Sequence, residues 1–234
     1  MMKLAPRLPL RRRFLQGIAW SLVTCAIALG QGSDIANTPH NLSASGPGSI
    51  KATSETEICK FCHVPHNSRS AEALWAQQLS EAIYRTPPIR TGESQLQTAP
   101  QPGGSSRLCL SCHDGTVAMG EISGSRGRIR MAGRQKFQPG DPGYLGTDLS
   151  GSHPVSFEIS ARPIGAESPA IDIGLHEVSA IISNTVAPLD ANNKMQCTTC
   201  HDPHSDAYYR PGIVPRFWVA PTVQEVCTSC HALR

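Results

Sequence analysis

The sequence predicts a chain of mostly irregular coil, with short helices and a few short strands, wrapped around something other than its own side chains. Three observations predict it. Gly and Pro supply 20 and 19 of the 234 residues, and aromatics only 5%. Long amphipathic runs are scarce, so little apolar area is on hand to offset the conformational entropy of folding. Against that lean composition stand four copies of one pentapeptide: Cys59-Lys-Phe-Cys62-His63, Cys109-Leu-Ser-Cys112-His113, Cys197-Thr-Thr-Cys200-His201 and Cys227-Thr-Ser-Cys230-His231.

Cys-x-x-Cys-His is the attachment signature of a c-type haem. Two thiols add across the two vinyl groups of one porphyrin, and the adjacent imidazole ligates the iron. The four copies take eight of the nine cysteines. Zinc ribbons also use Cys-x-x-Cys pairs, and the 197/227 pair sits in a workable register for one. A framework of disulfides would suit an exported chain. Neither explains a His after every second Cys, and thioredoxin-like motifs occur singly beside a βαβ pattern that is not visible here. The expected cofactors are therefore four haem c groups. Cys59, Cys62, Cys109, Cys112, Cys197, Cys200, Cys227 and Cys230 anchor them, and His63, His113, His201 and His231 are the proximal ligands. These flat apolar bodies would be the core, and without them the chain is expected to be unfolded or molten.

The elements follow in chain order. Residues 1–30 read as a secretory signal peptide: Lys3, Arg7 and Arg11–Arg13 with no acid, then an apolar run from Ile18 to Leu29 too short to span a bilayer. Arg11-Arg12-Arg13-Phe14-Leu15-Gln16 also has the look of a twin-arginine signal, and Cys25 is a candidate lipidation site. Residues 31–118 form a first haem-pair region. Within it Ser70–Arg85 is the best helix candidate, because Leu74, Trp75, Leu79, Ala82 and Ile83 share a face and Pro87-Pro88 ends it. Residues 119–196 are a haem-free insert, rich in Gly and Pro, with strand-like segments at Gly127–Met131 and Val155–Ile159. Residues 197–234 form a second haem-pair region. The two regions repeat one pattern: Cys-x-x-Cys-His-x-Pro-His, ending at His66 and His204, then a plain Cys-x-x-Cys-His. Helix elsewhere should be limited to single turns carrying the proximal histidines.

With residues 1–30 removed, 16 basic residues face 18 acidic ones, so the formal +3 becomes −2. Nucleic-acid binding has no electrostatic footprint to stand on. The remaining basic stretch, Arg126, Arg128, Arg130, Arg134 and Lys136, reads as a solvated loop or edge strand, or else as a partner for haem propionates or an acidic protein.

Nine histidines less four proximal ones leave His40, His66, His153, His176 and His204. Two imidazoles per iron would need four of these. His66 and His204 follow a proximal His by three residues, with the porphyrin between them and the far side of that iron, so each should reach a different haem. His40 and His153 complete the set, and His176 is the surplus. The rival axial ligand is Met, which raises the haem potential; Met195 and Met119 are its candidates.

Several stretches resemble the doubled-CXXCH multihaem cytochromes c: Asn37-Thr38-Pro39-His40-Asn41-Leu42-Ser43, the segment from Lys51 to His66, Leu108 to Ala118 around the second motif, and Gly151-Ser152-His153-Pro154-Val155. The tetrahaem layout is similar to subunits of extracellular cytochrome filaments. The resemblance implies a multihaem cytochrome c fold with little regular secondary structure and bis-His haems conducting electrons. It further implies that His40 ligates a haem of the neighbouring subunit in a homo-polymer.

Three function classes follow. The first is an exported electron carrier with other cytochromes or redox proteins as partners, in the periplasm, on the outer surface or outside the cell, without a membrane-spanning segment; it is either a discrete shuttle or a filament subunit. The second is a reductase, which needs an open haem position; the supply of histidines and the lack of a Cys-x-x-Cys-Lys variant argue against it. The third is a structural or sensing protein. The sequence favours the non-enzymatic carrier.

Overall fold

The structure, a computed structural model, describes residues 34–91, 95–123, 128–159 and 174–232. The chain divides into Met1–Ser33 and Asp34–Arg234, and the described residues all lie in the second unit. The expected signal peptide and Cys25 therefore lie outside the described residues.

Regular structure is sparse, as the composition dictates. Two short antiparallel pairs form: β1 (Lys51–Ala52) with β4 (Met131–Ala132), and β2 (Pro88–Thr91) with β3 (Gln95–Thr98). The α-helices are α1 (Gly104–His113), α2 (Val178–Ile182), α3 (Cys197–Cys200) and α4 (Val223–Thr228), and 3-10 turns run over Asp34–Asn37, Cys59–Phe61 and Glu72–Leu74. Both short motif helices carry caps that their sequence supplies. Thr222 Oγ1 accepts from the Glu225 amide at 3.1 Å ahead of α4, and Gln196 with Thr199 forms a reciprocal box on α3. Each cap satisfies amides that a one-turn helix cannot pair internally.

Apolar burial is divided among small clusters, none with more than four buried members among the described residues. Several gather around motif cysteines. Phe61, Met119 and Met131 pack with Cys62 and Cys112, Cys230 with Ile159, Ile181 and Met195, and Cys200 against Ala187, Ala220 and Val226. Met119 and Met195, the rival axial candidates, are thus both core side chains.

The second and third motifs are docked on each other. Ser105 Oγ lies 2.7 Å from Thr198 Oγ1, the Ser106 hydroxyl donates to Gln196 Oε1 at 2.6 Å, and the Cys197 amide donates to Ser106 Oγ at 3.0 Å. Gln196 also donates to Asp190 Oδ2 at 2.9 Å and accepts from Ser156 Oγ at 3.2 Å. Residues of the expected insert, 156 and 190, are therefore woven into the joint between the second and third motifs.

The expected helix over Ser70–Arg85 does not form. Only Glu72–Leu74 turns, with Ala73 at φ +53°, and the would-be apolar face is split: Leu74 is 47% and Ile83 86% exposed, while Trp75, Leu79 and Ala82 are half-buried. The backbone is paired across the chain instead. The Val64 amide donates to Leu74 O, Ala76 to Cys62 O and Gln78 to Glu121 O, while Trp75 bridges His63 and Ser70 and its indole N–H donates to Ser111 Oγ at 3.2 Å. Tertiary pairing overrides a helical period that propensity alone supports weakly. The strand-like reading of Val155–Ile159 fares better: the Ser156 and Ile159 amides donate to Met195 O and Asn193 O, and the Met195 amide to Phe157 O. That of Gly127–Met131 keeps its C-terminal end, at β4, while Gly127 lies outside the described residues.

In the basic stretch, Arg128 pairs with Glu121 and Arg134 with Asp141, and Lys136 donates to Thr116 O. These are partly exposed contacts of small energetic weight, as befits a solvated loop. Among the described residues no helix is long and apolar enough to cross a membrane.

Candidate haem-attachment site

Each motif folds locally into the same device, a single helical turn that closes on its own His. The His63 amide donates to Cys59 O at 2.8 Å, His201 to Cys197 O at 3.0 Å and His231 to Cys227 O at 2.9 Å. The second motif is the last turn of α1. Two residues between the thiols and a His directly after them are what such a turn needs to bring two sulfurs and one imidazole to the same side.

All eight motif cysteines are free thiols, so the disulfide alternative is not realised. Nor do three or more His, Cys, Asp or Glu side chains converge on one point among the described residues, as a tetrahedral zinc site requires. The thiols instead neighbour one another in motif order. Burial pushes the Cys112 and Cys200 thiols up to about 12 and Cys62 up to about 11, with Cys62 adding to the effect on Cys112, and Cys230 and Cys227 to that on Cys200. Between the second and third motifs, Cys109 as neighbour brings Cys197 down to about 7, with Ser106 assisting, while Cys109 is held well above its ordinary value.

The imidazoles are held through one nitrogen. His63 Nδ1 lies 2.5 Å from Ala73 O, His113 Nδ1 2.7 Å from Gly143 O and His201 Nδ1 3.1 Å from Arg216 O. Among the distal candidates, His40 Nδ1 lies 3.1 Å from Pro203 O, His153 Nδ1 2.8 Å from Pro154 O, and His204 Nδ1 3.5 Å from Asp202 Oδ1. A carbonyl can only accept, so in His63, His113, His201, His40 and His153 Nδ1 carries the proton and Nε2 keeps its lone pair for a metal. Burial favours the neutral ring. It lowers His113 and His201 below the ordinary imidazole range, and brings His40 down to about 4 against the opposing pull of Pro203 O. Aromatic neighbours fix the planes: Phe217 stacks on His40 at 4.1 Å, Phe137 on His113 at 5.2 Å, and Trp218 meets His201 edge-on at 5.1 Å.

Distal candidates stand beside proximal ones. Ring centroids are 6.1 Å apart for His40 and His113, 5.9 Å for His63 and His204 and 6.4 Å for His153 and His231. His66 is exposed, with the Asn67 side-chain amide 3.1 Å from Nδ1. His176 differs from all of these in placing Nε2, not Nδ1, 3.0 Å from a carbonyl, that of Thr228. Sequence reasoning found the sulfurs and imidazoles but not the carbonyls of Ala73, Gly143, Pro203 and Arg216 that orient them; a main-chain acceptor leaves no residue signature.

The donor set fits covalently attached haem: free thiols in pairs, each followed by an imidazole, three of the four with Nε2 left to ligate by the bond at Nδ1. Residues 190–233, which contain the third and fourth motifs, match the family described as the Doubled CXXCH motif. No curated protein matches the chain. The match covers the third and fourth motifs and supports a multihaem cytochrome c reading of that region.

Proposed function

We propose that this chain is a tetrahaem c-type cytochrome that carries electrons outside the cytoplasm as a discrete protein, exchanging them with other cytochromes or redox proteins. The observation that carries the reading is the arrangement of four Cys-x-x-Cys-His turns in one unit, with Cys62 and Cys112 of the first two motifs in one packed cluster and the second and third motifs docked through Ser105–Thr198, Ser106–Gln196 and the Cys197 amide on Ser106 Oγ. Haem, once bound, supplies a one-electron iron couple. The chain's own residues do the rest. Cys59, Cys62, Cys109, Cys112, Cys197, Cys200, Cys227 and Cys230 anchor, His63, His113, His201 and His231 ligate from the proximal side, and His40, His66, His153 and His204 from the distal side.

Two observations favour the discrete carrier over its rivals. A polymer joined through His40 needs that ring free to enter a neighbour, whereas here it packs on Phe217 and beside His113 of its own chain. A reductase needs an iron without a sixth ligand, whereas three of the four motif imidazoles have a second imidazole beside them. The test is intact mass and redox titration of the exported protein. Four covalently bound haems, all low-spin, that exchange electrons with a small c-type cytochrome are expected. Bare polypeptide, polypeptide with zinc, or a high-spin haem in the native protein would overturn the reading.

A further inference from the structure

The ring separations contain a ligand map. Two imidazoles on opposite faces of one iron hold their ring centres about 6 Å apart, from about 2 Å for each metal–nitrogen bond and about 1 Å from nitrogen to ring centre. Three pairs of histidines, each joining one motif to a residue far off in the chain, stand at 6.1, 5.9 and 6.4 Å. In each, the nitrogens not needed for iron are occupied where their partners are known: His40, His113, His63 and His153 bond backbone carbonyls through Nδ1, and His204 faces Asp202.

We propose that these pairs are the axial sets of three irons: His113 with His40, His63 with His204, and His231 with His153. Resting on the functional reading above, this assigns each distal ligand to one motif and closes the second iron within its own chain. The fourth set follows from what remains. His201 stands in none of these three pairs, and of the two histidines left His176 turns Nε2 to Thr228 O while His66 receives the Asn67 side-chain amide at Nδ1, so place in the repeat decides for His66. It occupies in Cys59-Lys-Phe-Cys62-His63-Val-Pro-His66 the place that His204 holds in Cys197-Thr-Thr-Cys200-His201-Asp-Pro-His204. Since His204 reaches across to His63, the two segments lie side by side, and His66 serves His201 in return. The first and third motifs thereby exchange distal ligands.

The map is tested on haem-loaded protein carrying, one at a time, His40→Ala, His66→Ala, His153→Ala, His204→Ala and His176→Ala. Each of the first four is expected to turn one haem of four from low-spin to high-spin, reversed by added imidazole, and His176→Ala none. Hydrogen peroxide destroys an opened haem faster than closed ones, so proteolysis and mass spectrometry of the haem peptides after brief peroxide treatment report which motif was opened. The expected losses are from Cys109/Cys112 for His40→Ala, Cys59/Cys62 for His204→Ala, Cys227/Cys230 for His153→Ala and Cys197/Cys200 for His66→Ala. Where an alanine variant fails to accumulate, the Met variant keeps a sixth ligand and should instead raise the potential of the same haem. Loss from any other motif, or a high-spin haem in His176→Ala, overturns the map while four attached haems leave the functional reading standing; absence of haem overturns the functional reading itself.

Discussion

The Ser106 hydroxyl donates to Gln196 Oε1 at 2.6 Å and accepts the Cys197 amide at 3.0 Å. Both side chains are buried, so one hydroxyl satisfies an acceptor and a donor that have little recourse to water. It sits one turn ahead of the second motif and at the threshold of the third.

Ser106→Ala should therefore destabilise the haem-loaded protein by about 1–3 kcal/mol, the usual penalty for stranding buried polar partners. Denaturant unfolding of wild type and variant measures it. A difference near zero would mean that the joint between the second and third motifs is held by other contacts.

Asp114, directly after His113, is buried and accepts from the Tyr84 hydroxyl at 2.6 Å and from the Thr116 amide at 2.7 Å. Burial, with the Asp114 carboxylate second, pushes the Tyr84 phenol well above its ordinary value. The sign follows from proton counting. As pH rises past the unfolded phenol's value of about 10, the unfolded chain releases a proton that the folded chain keeps, so stability present below that pH is lost above it. Tyr84→Phe should flatten this alkaline loss while lowering stability at neutral pH. Melting temperatures between neutrality and alkaline pH decide it: equal slopes for the two proteins would show that Tyr84 is not the group responsible.

Gly115 holds φ +73°, and a Cβ there would stand 2.6 Å from Phe137 O. A side chain would be strained in itself and would push on the segment whose ring stacks on His113. Gly115→Ala should cost about 1–3 kcal/mol and broaden the spectrum of the second haem. An unchanged melting temperature would show that the turn relaxes freely.

The planes of the paired rings differ as well. His63 and His204 lie 20° from parallel, while His153 and His231 are inclined at 77°. Near-parallel imidazoles split the iron's d orbitals and give a rhombic low-spin resonance, whereas near-perpendicular ones give a signal with a single large g value. Electron paramagnetic resonance should accordingly lose a rhombic signal in His204→Ala and a large-g signal in His153→Ala; the reverse assignment would contradict the ring geometry.

How much of this was legible in the sequence depends on how local the cause is. The motif turns were, because the bond from a His amide to the Cys four residues earlier lies within the pentapeptide. The fate of Ser70–Arg85 was not: the partners that pull Trp75 out of a helix are His63, Ser70 and Ser111, brought in by the fold. The histidines beyond the four motif ones could be counted from composition, but the adjacency of His63 and His204, 141 positions apart in the chain, could not. The Ser106–Gln196 contact was equally hidden, since neither residue type announces a partner.

The last prediction concerns what replaces a core. In the described residues the buried apolar side chains fall into clusters of three or four, and motif cysteines belong to or border three of them. Each ordered residue loses about 1–2 kcal/mol of backbone entropy, and clusters of that size offset it poorly on their own. Haem tied to the cysteines would add apolar surface where the clusters are thinnest and cross-link segments distant in sequence. Haem-free protein, produced without the attachment machinery and kept reduced, should then lack a cooperative thermal transition and exchange its amide hydrogens rapidly, including those of α1. The haem-loaded protein should melt cooperatively. A sharp melting transition in the haem-free chain would mean that the polypeptide's own contacts suffice.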